Sequence, residues 1–213
     1  PSFTWNGSLS FDAFQNNIVI GNYNFTSGLS HQISVWHSNP NGASDLNFLN
    51  DTAKSSVTLY SPLCGTYTIG GVNPDFLNFT EASRALNFGG ISCPVIFKVR
   101  DGNYGESITI NAITGSSSVN TVTFESESGD SSLVILSRIT LSGAQNVILK
   151  KIRINGTSSV SLATGAGNIW INNCWLSPGV GSGVTMSSLN GSVYIRKNNI
   201  QGGISCSAGA YQE

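Results

Sequence analysis

Ile139-Thr140-Leu141, Val160-Ser161-Leu162 and Val184-Thr185-Met186 lie under one another as the same apolar, hydroxyl, apolar triplet, and Ile204-Ser205-Cys206 begins a fourth copy. Each of the first three leads at a similar offset into a second run, Val147-Ile148-Leu149, Ile169-Trp170-Ile171 and Val193-Tyr194-Ile195. A third run then ends at Ile154, Leu176 and Ile200. The period is about 20 to 24 residues. Three short strands per period, with no helical pattern between them, predict one coil of a parallel β-helix per repeat, each coil stacked in register on the last.

Side chains alternate along a strand, so the repeat also assigns faces. Val147, Leu149, Ile169, Ile171, Val193 and Ile195 recur at inward positions, while Ile148, Trp170 and Tyr194 point outward. Lys150, Asn172 and Arg196 follow on the same outward face. One reading of this ladder is lateral packing on a sheet surface. The other is a stripe for stacking a sugar or docking a partner, with charges that suit an acidic glycan. Trp170, Tyr194, Lys150 and Arg196 are therefore the candidate ligand-binding residues. Asn198 stands where Ile152 and Cys174 stand in the earlier copies, and a buried Asn there needs its amide hydrogen-bonded, for instance to a turn.

Upstream of the repeat, Val95 to Val99, Ser107 to Ile110, Thr121 to Phe124 and Leu133 to Leu136 read as further strands. The only helix signal spans about Pro74 to Asn87, where Phe76, Phe79, Ala82 and Leu86 share a face and Gly89-Gly90 ends the pattern. It predicts an amphipathic cover. The first 60 or so residues alternate apolar and polar positions in short runs such as Ile18-Val19-Ile20, Ile33-Ser34-Val35-Trp36 and Val57-Thr58-Leu59. Ser38-Asn39-Pro40-Asn41-Gly42 should reverse the chain. About four antiparallel strands are implied, too few for a complete sandwich. The expected organisation is all-β: a partial antiparallel β-sandwich segment over residues 1–62, then a helix-capped parallel β-helix over 63–213, with the junction near Tyr60-Ser61-Pro62-Leu63.

Composition narrows the function. The chain of 213 residues is 39% hydrophobic and 10% charged, with a net charge of −1, so it can bury a core but offers no basic field for nucleic acid. No run approaches the roughly 18 to 20 apolar residues of a membrane helix, so membrane insertion is not expected. Gly, Ser, Asn and Thr are abundant while Lys and Glu are scarce, a balance that suits an exported protein and an oxidising compartment. Asn-x-Ser/Thr triplets at Asn6, Asn24, Asn50, Asn78, Asn155 and Asn190 are read as composition. Cys64, Cys93, Cys174 and Cys206 form no CxxC pair and neighbour no His, which argues against zinc.

Two stretches carry a family resemblance. Cys64 to Gly71, Asn73-Pro74-Asp75-Phe76 and Pro94 to Tyr104 look like the entry to the right-handed β-helix, or pectin-lyase-like, region of large surface proteins exported by the bacterial type IX route. Val35 to Gly42 with Asn50-Asp51-Thr52 is similar to the end of the CARDB-like immunoglobulin-type modules that often precede it. The resemblance implies a secreted, cell-surface location and a capping helix over the first coil. It also implies that Cys64 and Cys93, which bracket that helix, are joined, the alternative being two buried thiols. Cys174 and Cys206 read as core residues.

Catalysis finds little support. Gly102 to Ile110 resembles the Gly-x-Tyr-x-Glu entry strand of pectin methylesterases, but that segment is scaffold in those enzymes. From Ser131 to Gln212 there is no Asp or Glu, so the repeat region cannot supply a carboxylate acid, base, nucleophile or metal ligand. His31 and His37 have no triad partners in view. Asp45, Asn47, Asn50 and Asp51 match no calcium loop, and Glu125, Glu127 and Asp130 read as a solvated loop. No catalytic residue, metal or cofactor is assigned. The expected function is that of a non-catalytic, structural or adhesive segment whose partners are surface glycans or other proteins of a secretion or motility assembly. The alternative is the leading part of a polysaccharide-active enzyme whose active site lies outside this stretch.

Overall fold

The computed structural model describes residues 4, 6–8, 10, 13–26, 30–36 and 52–207. The chain divides into two compact units, Pro1–Leu59 and Tyr60–Glu213. In the first, β1 (Ser30–Trp36) pairs antiparallel with β2 (Thr52–Thr58), from Ser30 opposite Thr58 to Trp36 opposite Thr52. Ile18 to Ile20 is not a strand, and two strands rather than about four are present among the described residues. Alternation alone does not make a strand without a partner edge to pair with. The turn at residues 38–42 lies outside the described residues, as do His37 and the acidic loop of Asp45 and Asp51.

The second unit is a parallel β-solenoid with three walls. The first wall stacks β3 (Leu63–Ile69), β4 (Ile91–Val99), β7 (Val122–Ser126), β10 (Gln145–Lys150), β13 (Gly167–Asn172) and β16 (Val193–Arg196). The second stacks β5 (Gly102–Asn103), β8 (Val134–Leu136), β11 (Arg153–Ile154), β14 (Trp175–Leu176) and β17 (Asn199–Ile200). The third stacks β6 (Ser107–Ile110), β9 (Arg138–Ser142), β12 (Val160–Ala163), β15 (Val184–Met186) and β18 (Ile204–Cys206). Every neighbouring pair in these walls is parallel. The triplets aligned in the sequence are paired residue for residue: Ile139, Val160, Val184 and Ile204 form one row, and Leu141, Leu162, Met186 and Cys206 another.

The interior is a set of apolar ladders. Val95, Val122, Val147 and Ile169 follow one another on the first wall, beside Phe97, Phe124, Leu149 and Ile171, and all eight are fully buried. Phe97 and Phe124 stack at 4.7 Å, and Phe79 stacks on Phe124 at 5.9 Å. Each such side chain contributes roughly 1.5–3 kcal/mol on leaving water. Val193 and Ile195 continue the ladders but are only half-buried, and Cys206, expected in the core, is exposed. Its inward position carries burial only where a further rung lies over it, and β18 is the last rung described.

A single helix, α1 (Phe79–Gly89), takes the place in the chain of the second- and third-wall strands of the first coil. Asn78, extended at φ −159°, caps it by accepting from the Glu81 amide, and Gly90 at φ +67° closes it. The helix therefore starts after Phe76, which had been placed on its apolar face. Phe76 instead forms an isolated parallel bridge with Ile69. Phe79, Ala82 and Leu86 are buried as expected.

The outer edge of the first coil is satisfied by side chains. Asp75 accepts from the amide (2.7 Å) and hydroxyl (2.8 Å) of Thr68 on β3, and these bonds, the amide's foremost, hold its pKa below the usual value. The Asn87 carboxamide donates to the Thr109 carbonyl and accepts from the Asn111 amide, both at 2.9 Å, as a neighbouring strand would do for β6. Glu106 accepts from the amides of Phe79 (2.9 Å) and Thr80 (3.0 Å), tying the coil to the positive end of the helix. Tyr104 packs edge-on against Phe79 at 5.1 Å, and burial raises its pKa.

Cys64 on β3 and Cys93 on β4 are joined in a disulfide that encloses α1, with a sequence separation of 29. Closing such a loop stabilises by about 2–4 kcal/mol. Replacing both cysteines with Ser should lower unfolding free energy by that amount in a denaturant titration, and an unchanged midpoint would contradict it. Asn87→Ala, which strips two backbone groups of their partners, should cost about 1–3 kcal/mol in the same assay; a neutral result would mean that the edge is satisfied in another way.

Candidate functional site

The outward face of the first wall carries two parallel rows. One runs Ile96, Thr123, Ile148, Trp170 and Tyr194; the other runs Lys98, Glu125, Lys150, Asn172 and Arg196. In-register rungs lie about 4.8 Å apart, so flat rings at neighbouring positions are held face to face. The Trp170 and Tyr194 rings stack at 5.3 Å with 14° between their planes. The Arg196 guanidinium lies 5.8 Å from the Tyr194 centroid. Tyr194 is exposed, and Trp170 is half-buried under it.

Trp170, Tyr194 and Arg196 are thus brought together on adjacent rungs, whereas Lys150 is committed elsewhere. Its Nζ lies 3.1 Å from Glu125, which also pairs with Lys98. Glu125 is not in a solvated loop: it sits on β7 with 14% of its side chain exposed, between a cation on the rung before and one on the rung after. Burial alone would raise its pKa, but the hydrogen bonds from Lys98 and Lys150 prevail and hold it below the ordinary value. Glu127 pairs with Arg100 at 3.3 Å, and Asp130 accepts from the Ser132 amide at 2.8 Å.

Asn198 accepts from the Cys174 amide and donates to the Ile171 carbonyl, both at 2.7 Å, so its amide serves the corner of the rung below. Cys174 beneath it is buried, which pushes its thiol pKa up to about 11 and keeps it protonated. Tyr104 and Glu106, in the segment that resembles an esterase strand, serve the helix cap and face no reactive partner. Among the described residues no group of three His, Cys, Asp or Glu is placed to hold a metal ion, and no helix is long and apolar enough to cross a membrane.

One pair escaped the sequence reading. Arg153 and Trp175 are partners across β11 and β14 on the second wall, with the guanidinium 4.1 Å above the indole ring. The signal was available, since each stands one residue before an inward Ile154 or Leu176, but strands of two residues show no alternation of their own. Comparisons with protein-family models, curated proteins and solved structures returned no match.

Glu125 sets a pH dependence. Its folded pKa lies below the ordinary 4.5, so its contribution is complete above that value and disappears as pH falls through the folded value. Glu125→Gln should destabilise the chain at neutral pH and converge with the wild type at about pH 3 in thermal melts. Equal stability at neutral pH would show that the triad contributes nothing.

Proposed function

We propose that this chain is a non-catalytic, structural and adhesive segment of a secreted cell-surface protein, and that the first wall binds glycan through its aromatic stripe. The observation that carries this reading is the Trp170–Tyr194 stack with Arg196 beside it, held on a rigid wall at fixed spacing. Stacked rings of this kind present an apolar face to the C–H face of a pyranose, and a neighbouring guanidinium donates to its oxygens. The ring pair also has a purely structural use as a cross-strand contact, but Tyr194 leaves 38% of its surface in water.

Three features support the rest of the reading. The Cys64–Cys93 disulfide suits an oxidising, extracytoplasmic setting. The stretch from Cys64 to Tyr104, which resembles the entry region of type IX-exported surface proteins, forms the cap and first coils of a solenoid. The absence of any carboxylate from Ser131 to Gln212 leaves the stripe without an acid or base for glycosidic or ester chemistry.

The purified chain, tested on an array of immobilised polysaccharides, should bind at least one without releasing reducing ends. Trp170→Ala should weaken that binding about tenfold or more, the scale of one lost aromatic stacking contact. Binding unaffected by Trp170→Ala, or turnover of a bound polymer, would overturn the reading.

A further inference from the structure

At the corner where the first wall turns into the second, three successive coils place the same residue in the left-handed region: Lys151 at φ +54°, Asn173 at φ +55° and Lys197 at φ +54°. Asn tolerates this conformation and Lys has no intrinsic preference for it, so two lysines at an Asn-type corner call for an explanation beyond the turn. The three line a surface cavity of about 360 Å³ with Trp175 and Asn199. Gly129 forms part of its floor, and a Cβ there would stand 3.2 Å from the Lys151 Nζ, so the missing side chain leaves the ammonium its place.

The electrostatics around this corner are one-sided. Six cations and no acid lie between Ser131 and Gln212: Arg138, Lys150, Lys151, Arg153, Arg196 and Lys197. The ion pairs among the described residues engage Lys98, Arg100 and Lys150, which leaves the two corner lysines without a carboxylate. The Trp175 indole N–H is buried with no acceptor in the protein, and the Arg153 Nε beside it is in the same state. Buried donors of this kind are expected to be satisfied by something.

From these observations we infer that the corner binds a linear glycan bearing regularly spaced carboxylate or sulfate groups. The inference rests on the glycan-binding reading above and specifies the ligand's charge. Corner residues two rungs apart stand roughly 10 Å from one another, so Lys151 and Lys197 meet successive charges on a polymer better than a single small anion. Asn173 between them, with Asn199, offers paired amide donors and acceptors to the hydroxyls that separate those charges. Nucleic acid fits less well, because a chain of net charge −1 supplies no long-range attraction for a continuous phosphate backbone.

The test is isothermal titration of the whole chain with dextran, carboxymethyl-dextran, dextran sulfate and single-stranded DNA, at low and high salt. Lys151→Asn/Lys197→Asn, which installs the residue already found at position 173, keeps the corner conformation and removes both charges. The charged dextrans should bind in a salt-sensitive way, and the double variant should bind them at least about tenfold more weakly with an unchanged melting temperature. Trp170→Ala should retain the charge discrimination. Neutral dextran bound as tightly as the charged forms, with a loss only in Trp170→Ala, would overturn the inference and leave the glycan reading standing. DNA bound as tightly as dextran sulfate, or an unaffected double variant, would also overturn the inference. Failure of every glycan to bind would overturn both.

Discussion

In a parallel stack each coil's backbone is satisfied by the coils above and below it, and by little else. A hairpin can close on itself, but a rung cannot. This constraint explains why the interior rows repeat, because only a recurring apolar residue at each inward position lets Val147, Ile169 and their counterparts superpose without voids. It also explains why the first coil is so heavily furnished with polar devices. Asp75 on β3, the Asn87 carboxamide on β6 and Glu106 on the helix N-terminus each supply hydrogen bonds that a preceding coil would otherwise have made.

The same regularity produces the surface. Registered rungs turn outward residues into ladders, so a tryptophan followed one coil later by a tyrosine becomes a stacked pair, and Lys98, Glu125 and Lys150 become an ion triad. Charge then separates along the solenoid. The acids lie in its earlier coils, where they neutralise Lys98, Arg100 and Lys150, while the later coils carry cations and aromatic rings. A solenoid gains a binding face in this way without a loop insertion or a pocket in its core.

The stacking register was legible in the sequence because burial imposes it: Ile139, Val160, Val184 and Ile204 recur since each must meet the one before. The need for an amide at Asn198 was legible for the same reason, as a polar break in an apolar row. The edge devices were not. Asn87 and Asp75 are single polar residues whose role depends on a strand edge far away in the chain, and nothing local marks them. Phe76 matched a helical spacing, yet the helix begins where Asn78 caps it, and Phe76 pairs with Ile69. Of the four candidate ligand residues, Trp170, Tyr194 and Arg196 assemble, while Lys150 is drawn off by Glu125, an ion pair that appears only once the rungs are aligned. Trp175 was hidden by the brevity of its strand.

The claim on which the rest depends is the parallel register of Ile148, Trp170 and Tyr194 along the first wall. Interstrand nuclear Overhauser contacts on an isotopically labelled chain report it directly, because antiparallel pairs bring α-protons of facing residues close together and parallel pairs do not. The expected result is amide-to-α-proton contacts linking these three rungs in sequence, with no close α-proton pairs between them. Strong α-proton to α-proton contacts between any two of those strands would contradict the stack.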